Sequence, residues 1–416
     1  MYTRVTMRAL LEASFRGAVA AADPLAILPV HLPAPPRGRT FVAGAGKAAA
    51  SMALAVERHW PSGVLLEGIA LTRYGHALPT ARLRVVEAGH PIPDDAGEAA
   101  AREILERVRA LGPDDLLLAL ISGGGSALLS LPAEGVSMAE LKQLTRALLR
   151  CGATIQEINT VRKHLSAILG GQLTAACRAP VLALIVSDVT GDDPTHIASG
   201  PCAPDPTTCA DAEAVLAKYG IAAPGKFSET PKPGDPVFAR VENRVIATAH
   251  RSLEAAAAVF RNAGVEPVIL GDSITGEASE VAKVMAALVR ETREHGSPWK
   301  PPVALISGGE CTVTVRAANG RGGRCAEFLL SLAVELDGVD NVWAVAADTD
   351  GIDGTEDNAG AMLAPDTLLR ARARGMDARR LLAANYSFGF FSALGDLVVT
   401  GLTRTNVNDY RAILVR

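Results

Sequence analysis

Five stretches hold the residue types that could do chemistry. The first is Val42-Ala-Gly44-Ala-Gly46-Lys47-Ala-Ala49. Its two glycines let backbone N–H groups approach an anion at a helix start, and Lys47 adds a charge at the mouth of the loop. It is not a Walker A loop. Phe41 stands where the first glycine belongs, and Ala48 where Ser or Thr would meet magnesium. Gly44-x-Gly46-x-x-Ala49, with Glu67 further on, fits a dinucleotide fingerprint better. That fingerprint leaves Lys47 as either a catalytic cation or a solvated lysine opening a helix. The second stretch, Ser122-Gly123-Gly124-Gly125-Ser126, follows the apolar run Leu116–Ile121. Three glycines can form an anion-binding nest between two hydroxyls, or a tight strand-to-helix turn with no ligand.

In the third stretch, Asn159, Arg162 and Lys163 fall within one helical turn. That face either binds phosphate or carboxylate or is simply a solvated charged face. The fourth, Ser187-Asp188-Val-Thr-Gly-Asp192-Asp193, closes the apolar run Val181–Val186. Carboxylates at the end of a buried strand suit magnesium, which takes one or two of them plus phosphate oxygens; Asp188 and Asp193 are the candidates. Asp192 or Asp193 could instead cap the next helix.

The fifth group lies in the C-terminal third: Ser307-Gly308-Gly309-Glu310, Gly320-Arg321-Gly322-Gly323-Arg324, Asp348-Thr-Asp350-Gly-Ile-Asp353-Gly354, and Thr403-Arg404-Thr405-Asn406-Val407-Asn408-Asp409. Its guanidinium groups suit phosphate or carboxylate. The Asp348–Gly354 run lacks EF-hand spacing and the terminal Glu, so it is no calcium loop of that kind. Turn-forming Asp-Gly pairs are the plain reading of it.

These loops need a frame. Short apolar runs alternate with Ala-rich helical stretches, the pattern of βα units around a mostly parallel sheet. Strands are expected at 40–43, 68–72, 83–87, 116–121 and 181–187, with helices at 5–22, 48–60, 95–110, 138–150 and 157–176. The Pro/Gly cluster over 221–236 marks the expected boundary between domains 1–235 and 236–416. A second βα series follows, with strands at 245–248, 266–270, 303–306, 313–316, 342–346 and 397–400.

The chain has 416 residues, 49% hydrophobic and 21% charged, with a formal charge of −4, which suits two α/β domains and gives no support to a nucleic-acid or membrane partner. Its longest apolar runs are far short of the roughly 20 residues of a membrane helix. The six cysteines show no zinc spacing or disulfide framework, so reduced thiols and a cytoplasmic protein are expected.

In order along almost the whole chain, these segments resemble the type-II glycerate kinases, the D-glycerate 2-kinase family, some of whose members carry a hydroxypyruvate reductase label. The resemblance rests on Gly44–Lys47, Gly89-His-Pro-Ile-Pro-Asp94, Ile121–Leu128, Asn159–Ser166, Ser187–Asp193, Ile197–Pro201 and Asp205–Thr208. In the C-terminal third, from about residue 300, Ser307–Glu310, Thr349–Gly354 and Thr405–Asp409 resemble a MOFRL-type domain. The resemblance implies a Rossmann-like N-terminal domain, a second α/β domain, and an active site in the cleft between them. It also implies ATP-dependent phosphorylation of D-glycerate at the 2-hydroxyl, with magnesium, Lys47 as catalytic lysine and Arg324 as catalytic arginine. Gly44, Gly46, Ser122–Ser126, Asn159, Arg162, Lys163, Glu310, Asp350, Asn406 and Asn408 would bind substrate or nucleotide. Three positions depart from the pattern: Leu169, Cys325 and Arg404. The alternatives are an NAD(P)H-dependent hydroxypyruvate reductase, supported by the fingerprint and Glu67, and a non-catalytic glycerate sensor. His90, in a Pro-rich turn, and His196, after Pro194, give the reductase no obvious acid–base pair. A homodimer is left open.

Overall fold

The computed structural model describes residues 4–416. They form two compact units, one spanning Pro24–Ala247 and the other combining the residues up to Asp23 with Thr248–Arg416.

The Pro24–Ala247 unit holds a six-stranded, all-parallel sheet. Its strands are β1 (Thr40–Ala45), β2 (Leu66–Arg73), β3 (Arg84–Ala88), β4 (Leu116–Ser122), β5 (Val181–Val186) and β6 (Val241–Ala247), in the order β3-β2-β1-β4-β5-β6. β1, β4 and β5 are buried at every position. That explains their continuous apolar runs, since a parallel sheet covered on both faces needs no polar alternation. The strand order reverses between β1 and β4, and the loops at the C-terminal ends of strands flanking such a point are where ligands bind.

The Pro/Gly cluster over 221–236 does not divide the units. It packs along its own unit, Ser228 N–H donating to the His164 carbonyl and Asp205 N–H to that of Pro231. The strand beyond it, expected to open the second series, instead pairs with β5 as β6. The helix expected over 157–176 also breaks: Ile155–His164 is helical, a turn follows, and Gln172–Ala175 is a separate short helix.

In the other unit, β7 (Glu266–Gly271), β9 (Val303–Gly309), β11 (Val342–Asp348), β12 (Gly360–Leu363), β13 (Leu397–Val398) and β14 (Asp409–Val415) form a sheet in the order β13-β12-β11-β14-β9-β7; β8 (Gly276–Glu277) and β10 (Cys311–Thr312) pair separately. Only β7 and β9 run parallel in the larger sheet, so the expected βα series is a mixed sheet. No strand forms at 313–316. The helix Arg4–Ala20 belongs here, where Met7, Leu11 and Phe15 join Phe260, Val345 and Tyr410 in one core.

Candidate active site

In the Pro24–Ala247 unit the loops after β1 and β4 are interlocked. Lys47 N–H donates to the Gly123 carbonyl at 2.8 Å, and Ala48 N–H to Ser122 Oγ at 3.0 Å. Gly46 has φ +135°, and a Cβ there would run into the Ser122 hydroxyl and carbonyl. Only glycine meets both demands. A Cβ on Gly124, at φ +81°, would stand 3.0 Å from the His90 ring and 3.5 Å from Lys47 Cγ. The Lys47 stem, the His90 imidazole and the bare backbone of Gly124 therefore share one small space. His90 was given no role from sequence, because its Pro-rich turn showed nothing of where the ring would fall.

A polar relay leads away from this loop. Ser126 Oγ lies 2.7 Å from Ser199 Oγ, Ser199 Oγ donates to Asn159 Oδ1 at 3.1 Å, and Arg162 Nη1 donates to the same oxygen at 3.2 Å. Ala198 and Ser199 hold φ of +51° and +56°, a left-handed geometry costing about 1–2 kcal/mol per non-glycine residue. Such strain concentrates at functional sites. Ser199 carried no signal beyond its place in the Ile197–Pro201 segment.

The charged helix face divides in two. Lys163 is 2% exposed and its Nζ lies 3.3 Å from Asp205 Oδ1. Burial would raise the Asp205 pKa, but Lys163 and the Thr207 donors outweigh it and hold the carboxyl below its usual range. Lys163 is thus neither solvated nor turned to a ligand, as the two sequence readings had it, but is spent in a buried ion pair. Arg162 differs. Burial pulls its pKa down to about 10, and among the described residues no carboxylate pairs with it. A half-buried guanidinium left without a counter-ion is a receptor for an anion.

Asp188 follows β5 and is half-buried; Asp193 is exposed, its Oδ1 accepting the Thr195 N–H at 2.8 Å. Burial tends to raise the Asp193 pKa, but the Thr195 donors and the charges of His196 and Lys163 lower it, so it is ionised at neutral pH. Two carboxylates beyond a strand end suit magnesium that also takes phosphate oxygens.

In the other unit, Arg324 opens the helix Arg324–Leu336. Its Nε donates to Asp409 Oδ1 at 2.7 Å and its Nη2 to Asp348 Oδ2 at 2.8 Å, while Nη1 lies 3.1 Å from Glu310 Oε1. Burial would lower the Arg324 pKa, but these three carboxylates raise it far above the ordinary value. Asp348 and Asp409 are buried, whereas the Glu310 side chain is 55% exposed. Two partners fix the guanidinium; the third is exchangeable. Below it, Asp353 accepts the Cys325 and Ala326 N–H groups, and burial lifts its pKa to about 7. The departure at Cys325 is buried in the core rather than presented to a ligand. Leu169 is likewise buried, in the core of its own unit. Asp350 and Asn406 use their carbonyl-type oxygens on Ile352 N–H and Asn408 N–H, and Asn408 (φ +66°) passes its carbonyl to Thr349. A cavity of about 250 Å³ opens beside Arg324, lined by Val313, Val315, Gly322, Glu327 and Asn385 among others.

The chain resembles known proteins over nearly its whole length. A model named domain of unknown function DUF4147 matches residues 10–230, and one named MOFRL family matches 303–409. A glycerate 2-kinase of Pyrococcus horikoshii is 39% identical, covering 89% of this chain and 86% of its own. The chain belongs to the type-II glycerate kinase family. A protein of Agrobacterium vitis bearing a hydroxypyruvate reductase label is 52% identical over 99% of this chain and 95% of its own. The crystal structure of a glycerate kinase from Thermotoga maritima matches with a TM-score of 0.89 at 37% identity, covering 99% of this chain and all of that one. Members of this glycerate kinase family thus carry two different activity names, and the residues must decide between them. Among the described residues no helix is long and apolar enough to cross a membrane.

Proposed function

We propose that the protein is a glycerate 2-kinase, moving the γ-phosphoryl group of ATP to the 2-hydroxyl of D-glycerate. The observation that carries this reading is the edge on which the charges lie. Lys47 stands at the C-terminal edge of the parallel sheet, where β1 and β4 end. Glu67, which a nicotinamide enzyme would need on that same edge for the ribose, lies near the start of β2, opposite Phe41, and is bound there to Arg39 and Arg107. The fingerprint is therefore a glycine turn without its acid, and the reductase alternative loses its second support.

In the transfer, the bond between the γ-phosphorus and the ADP oxygen breaks as a bond to the glycerate 2-oxygen forms, and the hydroxyl proton leaves. Little covalent help is needed; charge on the transferring oxygens must be met by fixed donors. Lys47 and the Ser122–Ser126 backbone supply them, and Arg162, held by Asn159, takes the substrate carboxylate. In its own unit, Arg324 can exchange the exposed Glu310 on Nη1 for an anionic oxygen. His90, whose ring lies beside the bare backbone of Gly124, takes the proton. Asp188 and Asp193 would hold magnesium, which when bound neutralises part of the triphosphate charge.

The test is direct incubation with ATP and D-glycerate, with enolase reporting 2-phosphoglycerate, alongside NADH and hydroxypyruvate. ADP and enolase-competent product support the reading. NADH oxidation without ADP release would replace it with the reductase.

A further inference from the structure

Away from the loops assigned above, three ligand-type side chains converge in the Pro24–Ala247 unit. His164 ends the helix Ile155–His164, Cys209 begins the helix Cys209–Lys218, and Glu229 lies in the segment that follows. One nitrogen, one sulfur and one carboxylate oxygen from these residues all lie within 4.8 Å of one another. His164 Nε2 is 3.7 Å from Glu229 Oε1.

The histidine supplies the second observation. Its side chain is fully buried. Nδ1 lies 2.9 Å from the Thr160 carbonyl, which can only accept, so in the neutral ring the proton sits on Nδ1 and Nε2 presents a lone pair. That Nε2 is buried with no hydrogen-bond partner and points at Glu229. A buried acceptor without a donor is costly. A metal-binding histidine characteristically donates its other ring N–H to a carbonyl or carboxylate, as this one does.

We propose that His164 Nε2, Cys209 Sγ and one Glu229 oxygen form a site for a borderline-soft divalent cation of the zinc class, with water as fourth ligand. Zinc accepts this donor set, and with bonds of about 2.0–2.3 Å its ligands stand about 3.3–3.8 Å apart, so small side-chain shifts close the site. Binding requires the thiolate: the Cys209 thiol, whose pKa is lifted to about 11 by burial and by Glu229, gives up its proton to solvent as the metal–sulfur bond forms. Glu229 keeps its other oxygen on Lys232 Nζ, 3.1 Å away, and coordinates through one oxygen. The cation pins the end of the helix that carries Asn159 and Arg162 to the helix Cys209–Lys218, a brace behind the anion-binding face. It is separate from the magnesium candidates and does not depend on the kinase reading.

Cobalt(II) titration of the reduced full-length protein tests it, because a thiolate–cobalt charge-transfer band appears only with sulfur coordination. One equivalent should give the band in wild type and in Cys151→Ser, whose thiol is exposed, and one equivalent of zinc should bleach it. Cys209→Ser should abolish the band and Glu229→Gln should weaken cobalt affinity at least tenfold, with apo melting curves confirming that both variants fold. No band in wild type, a band surviving in Cys209→Ser, or a band lost in Cys151→Ser would overturn the proposal.

Discussion

Arg162 and Lys163 are adjacent on one helix, yet Lys163 is locked to buried Asp205 and Arg162 has no acidic partner among the described residues. Replacement should separate them. Lys163→Met leaves the Asp205 carboxylate buried and unpaired, at a cost of about 3–5 kcal/mol read by denaturant unfolding. Arg162→Gln removes a charge that the fold holds at a cost, so stability should hold or rise while kcat/KM for glycerate falls about a hundredfold. An Arg162→Gln enzyme with ordinary kinetics would remove that residue from the site.

Lys47→Ala should lower kcat by roughly two to four decades, as loss of a key donor to the transferring oxygens does. Its melting temperature should stay near wild type, because the interlocking bonds come from the backbone N–H groups of residues 47 and 48, which alanine keeps. Lys47→Arg should rescue poorly, since a planar fork does not replace a compact ammonium. Steady-state kinetics with ATP and glycerate decide the matter; near-normal turnover by a folded Lys47→Ala protein would displace the proposed centre.

Arg324→Lys keeps a charge but cannot serve Asp348, Asp409 and Glu310 at once. It should lose both stability and at least two decades in kcat. Glu310→Gln removes only the exposed partner, so it should leave stability almost unchanged and alter KM for ATP. Equal losses of stability in the two variants would contradict the division into fixed and exchangeable partners.

Glu327 is buried, and that burial lifts its pKa from 4.5 to about 7, while Asn385 and Ser387 hold it back. A carboxyl whose folded pKa is raised binds more protons in the folded state between those values. Its stabilising effect is therefore full below about pH 4.5 and is lost as pH rises through about 7. Denaturation free energies should fall over that window. Glu327→Gln should flatten the fall and, at pH 8, be the more stable protein by about 3 kcal/mol. A wild-type profile that matches the variant at every pH would show that Glu327 titrates normally.

The parallel sheet was legible because strands covered on both faces must read as unbroken apolar runs, as β1, β4 and β5 do. β14 was not, although it lies between β9 and β11. Its opening Asp409-Tyr-Arg411 looks polar, and only the fold shows Arg411 buried, donating to the Gly309 carbonyl and standing 5.6 Å from the Phe328 ring. The glycine loops announced themselves by composition. The roles of His90 and Ser199 did not, because each depends on a partner distant in sequence, Gly124 in one case and Asn159 in the other. Glu67 was misleading for the converse reason: spacing along the chain does not say at which end of a strand a residue falls.

The helix Arg4–Ala20 is packed into a core built from residues beyond Leu253, and Tyr410 OH donates to Ser14 Oγ while Thr405 Oγ1 donates to the Ala22 carbonyl. The ribosome makes this helix early and its partners late, with the whole Pro24–Ala247 unit in between. That unit holds a complete sheet of its own and can fold during synthesis, while the apolar face of the helix waits in water for a host that does not yet exist. Expression of residues 248–416 alone should therefore give an aggregating fragment, and supplying residues 1–23 as a separate peptide should restore its solubility.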